Sequence, residues 1–113
     1  MYQPDRGDIV WMDWTPHAGT EQGGRRPALV LSALDFNIAT GLAFCCPITS
    51  QGKGSSFEVT LPRGVGVSGF VLTDNLRSLD WIARNAEFKS KVNQEVMWEV
   101  LGRIEAIMCI DLA

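Results

Sequence analysis

Apolar and polar side chains follow two different periods along the chain, and only the C-terminal end has the helical one. Alternation, or a short apolar run between polar clusters, predicts strands at residues 7–14, 27–31, 42–48, 57–61 and 70–81, the last of these fitting one or two strands. After Asn93, apolar residues recur with a helical period up to Met108. This pattern predicts one amphipathic C-terminal helix with Asn93 as its N-cap.

Two further segments interrupt the strand pattern. Residues 32–35 read Ser-Ala-Leu-Asp, resemble a capping box, and predict a short helix that ends near Thr40, before Gly41. Residues 15–26 contain one proline and three glycines and almost no apolar side chain, which predicts a long loop. Loops of this length are usually functional.

The element order predicts the fold class. Several short strands followed by a terminal helix indicate a mainly β protein with some α structure, built as a strongly bent antiparallel sheet of five to seven strands or a partly open barrel. Such curvature removes exposed strand edges. The length of 113 residues suits one domain over residues 1–113 and leaves no room for a second.

Charge and hydropathy exclude several functions. Ten Lys and Arg against 13 Asp and Glu give a net charge of −3, so any nucleic-acid site must be local and shaped rather than spread over the surface. No apolar stretch approaches the roughly 20 residues of a membrane helix, and the N-terminus lacks the apolar core of a signal peptide. We therefore expect a soluble, cytoplasmic protein with no membrane partner.

The sequence also predicts no metal site and no cofactor. Three cysteines without Cys-x-x-Cys spacing and a single histidine, His17, do not make a zinc site. Dinucleotide, Walker and Gly-x-Ser-x-Gly fingerprints are absent. Cys45 and Cys46 are adjacent and cannot both face one core, and we expect these two and Cys109 to act as small packing residues.

Two polar clusters suggest a site for an anion. Arg25 and Arg26 lie where the long loop meets a core strand, and guanidinium groups bind phosphate oxygens bidentately. From these residues alone, a solvated loop is the simpler interpretation, both for the arginines and for His17. Residues 49–51, Thr-Ser-Gln, follow a buried strand and suit either ligand binding or ordinary turn chemistry.

Aromatic side chains offer a second interpretation. Trp11, Trp14, Phe57 and Trp81 have the ring systems on which nucleic-acid bases stack. Aromatic residues alternating in short strands are more often part of a core. On the residues alone we expect these four to be buried.

Several motifs in order make the chain resemble one family, the MazF/PemK toxins. They are Gly7-Asp8-Ile9-Val10-Trp11, Gly19-Thr20-Glu21-Gln22-Gly23, Arg26-Pro27-Ala28-Leu29-Val30-Leu31-Ser32, Cys46-Pro47-Ile48-Thr49-Ser50-Gln51, Lys53-Gly54, Phe57-Glu58-Val59 and the stretch 69–84. The resemblance covers nearly the whole chain. It implies an SH3-like barrel with a terminal helix and a homodimeric, sequence-selective endoribonuclease acting on single-stranded RNA.

The resemblance also implies a reaction and its residues. The ribose 2′-hydroxyl attacks the neighbouring phosphorus without a metal, leaving a 2′,3′-cyclic phosphate and a 5′-hydroxyl end. Arg26 occupies the position of the family's key arginine, and Thr49 occupies that of its key threonine. Glu21 matches the acidic residue of the family's loop, and it either accepts the 2′-hydroxyl proton or orders the loop. The expected RNA contacts are Arg25, Ser50, Gln51, Lys53, Asn75, Arg77 and Arg84.

The chain departs from the family pattern at two positions. Asn75 stands where the family often has Gln, and Ile82 where it often has Arg. Single-stranded RNA is read by hydrogen bonds to base edges and by stacking, so these changes leave the recognised sequence open.

The resemblance implies protein partners as well. It implies an acidic antitoxin whose tail lies across the RNA groove, matched by Arg25, Arg26, Arg77 and Arg84, and an isologous homodimer packed through the terminal helix and adjacent strands. Two alternatives remain at this stage. They are a gyrase-binding toxin of the same fold and an inactive module that only docks a peptide.

Overall fold

The computed structural model describes residues 1–14 and 24–109. Within these ranges the elements, in chain order, are β1 (Asp8–Asp13), β2 (Arg25–Val30), α1 (Leu34–Thr40), β3 (Leu42–Thr49), β4 (Glu58–Thr60), β5 (Phe70–Leu72), β6 (Arg77–Asp80), β7 (Glu87–Lys91) and α2 (Gln94–Met108). No helix in this part of the chain is long and apolar enough to cross a membrane.

The long strand β3 organises the sheet. One edge of β3 pairs with β2, and its other edge pairs first with β6, over Leu42 to Cys45, and then with β5 at Ile48 and Thr49. All pairings are antiparallel, and the strand order is β4-β5-β3-β2-β1-β7 with β6 beside β3. The terminal strands β4 and β7 do not pair, so the sheet stays open. The predicted fold, mainly β with two helices on a bent antiparallel sheet, is confirmed.

Adjacent residues of the central strands enter two different cores. Ile9 and Cys46 belong to a core that α2 covers, whereas Val10 and Cys45 belong to a second core around Trp81. Successive side chains of a strand point to opposite sides, and here both sides are covered. Cys45 and Cys46 are therefore both buried, as packing residues, although Cys109 is exposed and the packing role expected for it is wrong.

The C-terminal helix begins as predicted. The side chain of Asn93 accepts a hydrogen bond from the backbone N–H of Val96 at 2.9 Å, which satisfies one of the unpaired donors of the first turn. Val96, Met97 and Val100 are buried against the sheet. Periodicity and capping residue agree with the structure here because both are local properties.

The capping box at α1 is wrong. The N-cap is Ala33, which has no side-chain capping bond. The Ser32 hydroxyl instead donates to the side-chain oxygen of Asn37 at 2.5 Å and accepts from the backbone N–H of Phe44 at 2.8 Å. Buried Asn37 in turn donates to the Pro4 carbonyl. Long-range partners therefore use the serine oxygen that a capping box would need.

Strand β7 was not predicted, and the segment 70–81 forms two short strands, β5 and β6. β7 is polar and mostly exposed, with no apolar alternation to indicate a strand. It becomes a strand because it pairs with β1, for example Trp11 with Glu87. Tertiary pairing overrides the weak local preference.

The burial pattern predicts the reactivity of the thiols. Burial raises the pKa of Cys45 and of Cys46 to about 12, so neither forms a reactive thiolate near neutral pH. We expect a disulfide reagent at pH 8 to modify one thiol per native chain, that of Cys109, and all three in denaturant. A Cys109→Ser variant should show no fast reaction, and rapid modification of a second native thiol would contradict the two-core arrangement.

Candidate active site

An open groove of about 940 Å³ lies where β1 and β3 end and β2 begins. Beside it are residues 62–69, the connector between β4 and β5. Its lining residues are Trp11, Trp14, Arg26, Pro27, Pro47, Ile48, Thr49, Ser50, Gln51, Gly66, Val67, Ser68, Leu72, Asn75 and Arg77. Hydroxyl, amide and guanidinium groups thus share one concave surface with aromatic and apolar side chains. Such a mixture is typical of ligand sites.

The pairing of β2 with β3 brings Arg26 and Thr49 together. The two strands run antiparallel with Ala28 opposite Pro47, and this register continued by two residues sets Arg26 level with Thr49. The first is exposed at the start of β2, and the second is half-buried at the end of β3. Residues 23 positions apart therefore meet at one edge of the sheet, and both line the groove.

The segment after Thr49 is both a turn and part of the groove. The Thr49 hydroxyl accepts a hydrogen bond from the backbone N–H of Gln51 at 3.2 Å, which fixes the turn that follows β3. Ser50 and Gln51 are exposed on this turn and line the groove. The sequence suggested either a turn or a ligand site for residues 49–51. In the structure these residues form a turn and also line the groove.

A glycine makes the close approach to Thr49 possible. Gly69 has a φ of 131°, and a Cβ built on it would lie 2.2 Å from the Thr49 carbonyl oxygen. The connector that Gly69 ends forms another wall of the groove through Gly66, Val67 and Ser68. The Ser90 hydroxyl on β7 holds this connector by donating to the Val65 carbonyl.

Trp14 links the two arginines of the groove. Its indole N–H donates to the Arg26 carbonyl at 3.2 Å, and the Arg77 guanidinium carbon lies 5.7 Å from the centre of its ring. The Nε–H of Arg77 also donates to the Asn75 side-chain oxygen at 3.0 Å. A cation over an indole face is stabilised by the ring quadrupole, so this contact orients Arg77.

The expectation of four core aromatics holds for Trp81 alone. Trp81 is 5% exposed, whereas Trp11 and Trp14 are half-buried at the groove and Phe57 is exposed. Trp14 directly follows the last residue of β1, just before the segment 15–23, and a side chain next to a strand end packs on one side only. Its position next to Thr15-Pro16 was the signal in the sequence.

Three of the expected RNA contacts do not line the groove. The Arg25 guanidinium lies against Asp13 and Glu87, and that of Arg84 donates to backbone carbonyls. Lys53 is exposed, and its backbone N–H donates to Glu58 at 2.8 Å. Of the four arginines expected to match an acidic partner, the groove contains Arg26 and Arg77.

The carboxyl group of Asp13 is held in its charged form. A hydrogen bond from the Asn85 side chain, at 2.9 Å, lowers the pKa of Asp13, and Arg25 lowers it further. Hydrogen bonds that stabilise the charged form always act in this direction. Asp13 therefore stays a carboxylate wherever the protein is folded near neutral pH.

Two candidates for proton transfer, Glu21 and His17, lie in 15–23, outside the described residues. Over residues 1–14 and 24–109, no three His, Cys, Asp or Glu side chains lie close enough together to hold a metal ion.

Sequence reasoning missed part of the groove wall. The groove is also lined by Val67 and Ser68 of the connector 62–69, by Leu72, and by one proline in each of β2 and β3, none of which was among the expected site residues. The glycines of this connector were the available signal, because Gly64, Gly66 and Gly69 all have positive φ. Such spacing indicates a tightly folded segment rather than a simple link.

Comparison with known proteins identifies the family. Residues 5–108 match the family described as PemK-like, MazF-like toxin of type II toxin-antitoxin system. The chain belongs to this family. It is similar to the Escherichia coli K12 protein named endoribonuclease toxin MazF, with 41% identity over 107 residues that cover 95% of this chain and 96% of the relative.

Solved structures of MazF-like toxins share the fold. A MazE-MazF crystal structure from Deinococcus radiodurans (Form-III) matches with a TM-score of 0.88 and 51% identity, covering 95% of this chain and 97% of the other. A MazF crystal structure from the same organism (Form-I) matches with a TM-score of 0.86 and 53% identity. The match covers 96% of this chain and 98% of the other. The groove described above is thus a feature of a MazF-like toxin.

Gly69 supplies a test of how the MazF-like groove is built. We expect Gly69→Ala to destabilise the fold by about 1–3 kcal/mol more than Gly64→Ala, because its Cβ would force the Thr49 backbone to move. Gly64 is the matched control, since it also has positive φ but no described atom within 4 Å of the added Cβ. Urea denaturation of both variants measures the difference, and equal losses would contradict the close approach.

Proposed function

We propose that this MazF-type endoribonuclease toxin cleaves single-stranded RNA, including mRNA, in the groove that Arg26 and Thr49 share. The 2′-hydroxyl of one nucleotide attacks the adjacent phosphorus and the 5′-oxygen of the next nucleotide leaves. The products are a 2′,3′-cyclic phosphate and a 5′-hydroxyl end, with no metal ion required. The observation that carries the proposal is the meeting of a guanidinium and a hydroxyl in a groove with further polar donors.

The enzyme class rests on family membership. The Escherichia coli relative named as an endoribonuclease toxin aligns with 95% of this chain, so the same activity is proposed over the whole domain rather than a fragment. Fold alone would not separate it from a gyrase-binding toxin or an inactive docking module.

Arg26 has the chemistry that the transition state requires. Negative charge accumulates on the phosphorane oxygens, and a guanidinium placed beforehand stabilises that charge without reorganising. A guanidinium has N–H donors and no acceptor, which makes it a donor and unsuitable as a base. We assign it charge stabilisation and, through its N–H groups, protonation or hydrogen bonding of the leaving oxygen.

Thr49 and its neighbours hold the phosphate and the RNA. The Thr49 hydroxyl donates to a phosphate oxygen, while Ser50 and Gln51 on the following turn contact the backbone or a base. Asn75 and Arg77 line the same groove and offer hydrogen bonds to base edges. Lys53, exposed beside this turn, contributes charge near the rim.

A proton acceptor is still needed for the 2′-hydroxyl. We propose Glu21 for this step, since a carboxylate is a competent general base and the loop that carries it joins β1 to β2. A Glu21→Gln substitution separates this role from loop ordering, because the amide keeps the size and hydrogen bonds but not the basicity.

The groove also suits an acidic protein partner. The matching Deinococcus radiodurans structure is a MazE-MazF complex, and we propose that a cognate antitoxin likewise binds this chain. Arg26 and Arg77 would face its acidic segment, so inhibition would be competition for one surface. A toxin that cuts mRNA acts in the cytoplasm, and we place the protein there.

A second copy of the chain is the proposed homodimer partner. A surface pocket of about 390 Å³ is lined mainly by apolar side chains, and we call five of them, Phe36, Phe44, Leu76, Leu101 and Ile104, the apolar patch. Apolar patches of this kind mark interfaces. Leu76 lies between two groove residues, so a copy seated on the patch would bring its own side chains to the RNA site.

The cleavage reaction is tested directly with purified protein and a mixed-sequence single-stranded RNA in EDTA, with end groups read by mass spectrometry. We expect cleavage at a repeated short sequence with cyclic-phosphate ends. Arg26→Ala and Thr49→Val should each lower the rate about 100- to 1,000-fold, the usual loss for one donor to a developing negative charge, and abolish toxicity. Both residues lie at strand ends outside the cores, so the fold should survive.

Two variants control this experiment. Arg103→Ala removes an arginine on α2, and Thr60→Val removes an exposed threonine hydroxyl on β4; neither residue lines the groove. Both should cleave as the unmodified protein does. Absence of cleavage by folded protein would reject the nuclease and favour gyrase or peptide binding, and loss of cleavage on chelation alone would reject the metal-independent route.

The dimer is tested by light scattering at micromolar concentration. We expect a dimer, and we expect Phe44→Glu to shift it towards monomer because it places a charge in the apolar patch. Phe88→Glu is the matched control, since Phe88 is similarly exposed but lies on β7 away from the patch. A monomeric unmodified protein, or equal effects of both variants, would contradict this interface.

A further inference from the structure

Arg25 is bonded to protein atoms in several directions. Its guanidinium donates to Asp13 at 3.0 Å and Glu87 at 3.2 Å, and to the backbone carbonyls of Trp11 at 3.2 Å and Asn85 at 2.8 Å. These acceptors come from β1, β7 and the turn that precedes β7. The four bonds involve both terminal nitrogens, so a phosphate that binds this guanidinium through those two nitrogens competes with two carboxylates and two carbonyls.

Arg84 is held in a similar way. It donates to the backbone carbonyls of Asp13 at 3.1 Å and Trp14 at 2.9 Å, and its own carbonyl accepts from the Asp13 N–H at 2.9 Å. Asn85, next in the chain, donates to the Asp13 carboxylate. We call Arg25, Arg84 and Asn85, gathered around Asp13, the strand-end clamp.

The strand-end clamp is connected to the groove through Trp14. The clamp holds the Trp14 backbone through Arg84, and the Trp14 indole N–H donates to the Arg26 carbonyl. Trp14 also bonds to Gly24 through its backbone N–H, at 3.4 Å. The end of β1 is therefore tied to the start of β2, which contains Arg26.

Arg77 provides the contrast. It lines the groove, and its bonds within the described chain are one hydrogen bond to Asn75 and the contact with the Trp14 ring. Neither contact is a hydrogen bond from its terminal nitrogens, and the residue is exposed. The arginines of this region thus fall into two groups with different surroundings.

We propose that Arg25 and Arg84 are positioning residues, which fix Trp14 and the Arg26 backbone for phosphate chemistry, and that they do not contact RNA. This assignment rests on the proposed ribonuclease function. It deepens that function by separating the arginines that bind the substrate from those that hold the site in place. Small displacements of a positioned catalytic group are costly, which makes the strand-end clamp consequential for the rate.

Salt dependence distinguishes the two roles. Affinity for an uncleavable 2′-O-methyl RNA of mixed sequence is measured against salt concentration, and steady-state cleavage of the unmodified RNA is measured alongside. Loss of one phosphate contact lowers the slope of log affinity against log salt by about 0.7 for a single strand. Arg77→Gln should show this decrease, whereas Arg25→Gln and Arg84→Gln should leave the slope and the binding stoichiometry unchanged.

The cleavage rates complete the assignment. We expect Arg25→Gln and Arg84→Gln to lower kcat about 10- to 100-fold with KM unchanged. Arg25→Lys should lose as much, because the single nitrogen of an ammonium keeps the charge but cannot contact both Asp13, at one guanidinium nitrogen, and the three acceptors at the other. Arg103→Gln removes one positive charge on α2, and it should change neither kcat nor the salt slope.

Each other outcome overturns the proposal. A lower salt slope in the Arg25 or Arg84 variants, or full activity in Arg25→Lys, would make these residues RNA contacts. With kcat expressed per RNA-binding molecule, counted from the binding stoichiometry, an unchanged value would show that the strand-end clamp does not position Arg26. If the unmodified protein cleaves no RNA, the proposed ribonuclease function is wrong. If it cleaves RNA but the variants behave otherwise than expected, only the positioning role of Arg25 and Arg84 is wrong.

Discussion

The antiparallel pairing of β2 with β3 is the constraint on which the rest of the site depends. It sets the first residues of one strand beside the last residues of the other, so that a guanidinium and a hydroxyl far apart in the chain share one groove. The pairing persists because its central residues enter two separate cores, one on each side. A register shift of one residue would exchange these cores and turn Arg26 away from Thr49.

An acidic protein can present a basic groove because the arginines are sorted by their neighbours. The net charge is −3, yet two guanidinium groups line the groove. Arg25 lies beside Asp13 and Glu87, where its charge is balanced within the fold. Ion pairs within the fold therefore decide which positively charged side chains remain for a ligand. The net charge of the protein is a poor guide to the charge of its groove.

Predictions from short sequence motifs were correct where the bonding partner of the motif lies within the same few residues. Asn93 caps α2 through an atom three residues away, so the sequence window that suggests the cap also contains its partner. Ser32 had an equally good local signal, but its hydroxyl bonds to Asn37 and Phe44 instead, and Phe44 is twelve residues away. β7 had no local signal at all and exists through its pairing with β1.

By itself, the sequence determined the fold class, the strands other than β7, the C-terminal helix and the resemblance that points to Arg26 and Thr49. These follow from periodicity, capping and motif order, which are properties of neighbouring residues. The tertiary structure alone decided that Trp14 lies at the groove and that Arg25 is bonded to Asp13 and Asn85. The physical reason is that a side chain's role depends on the partners within hydrogen-bonding reach, and for these two residues those partners come from other strands and turns.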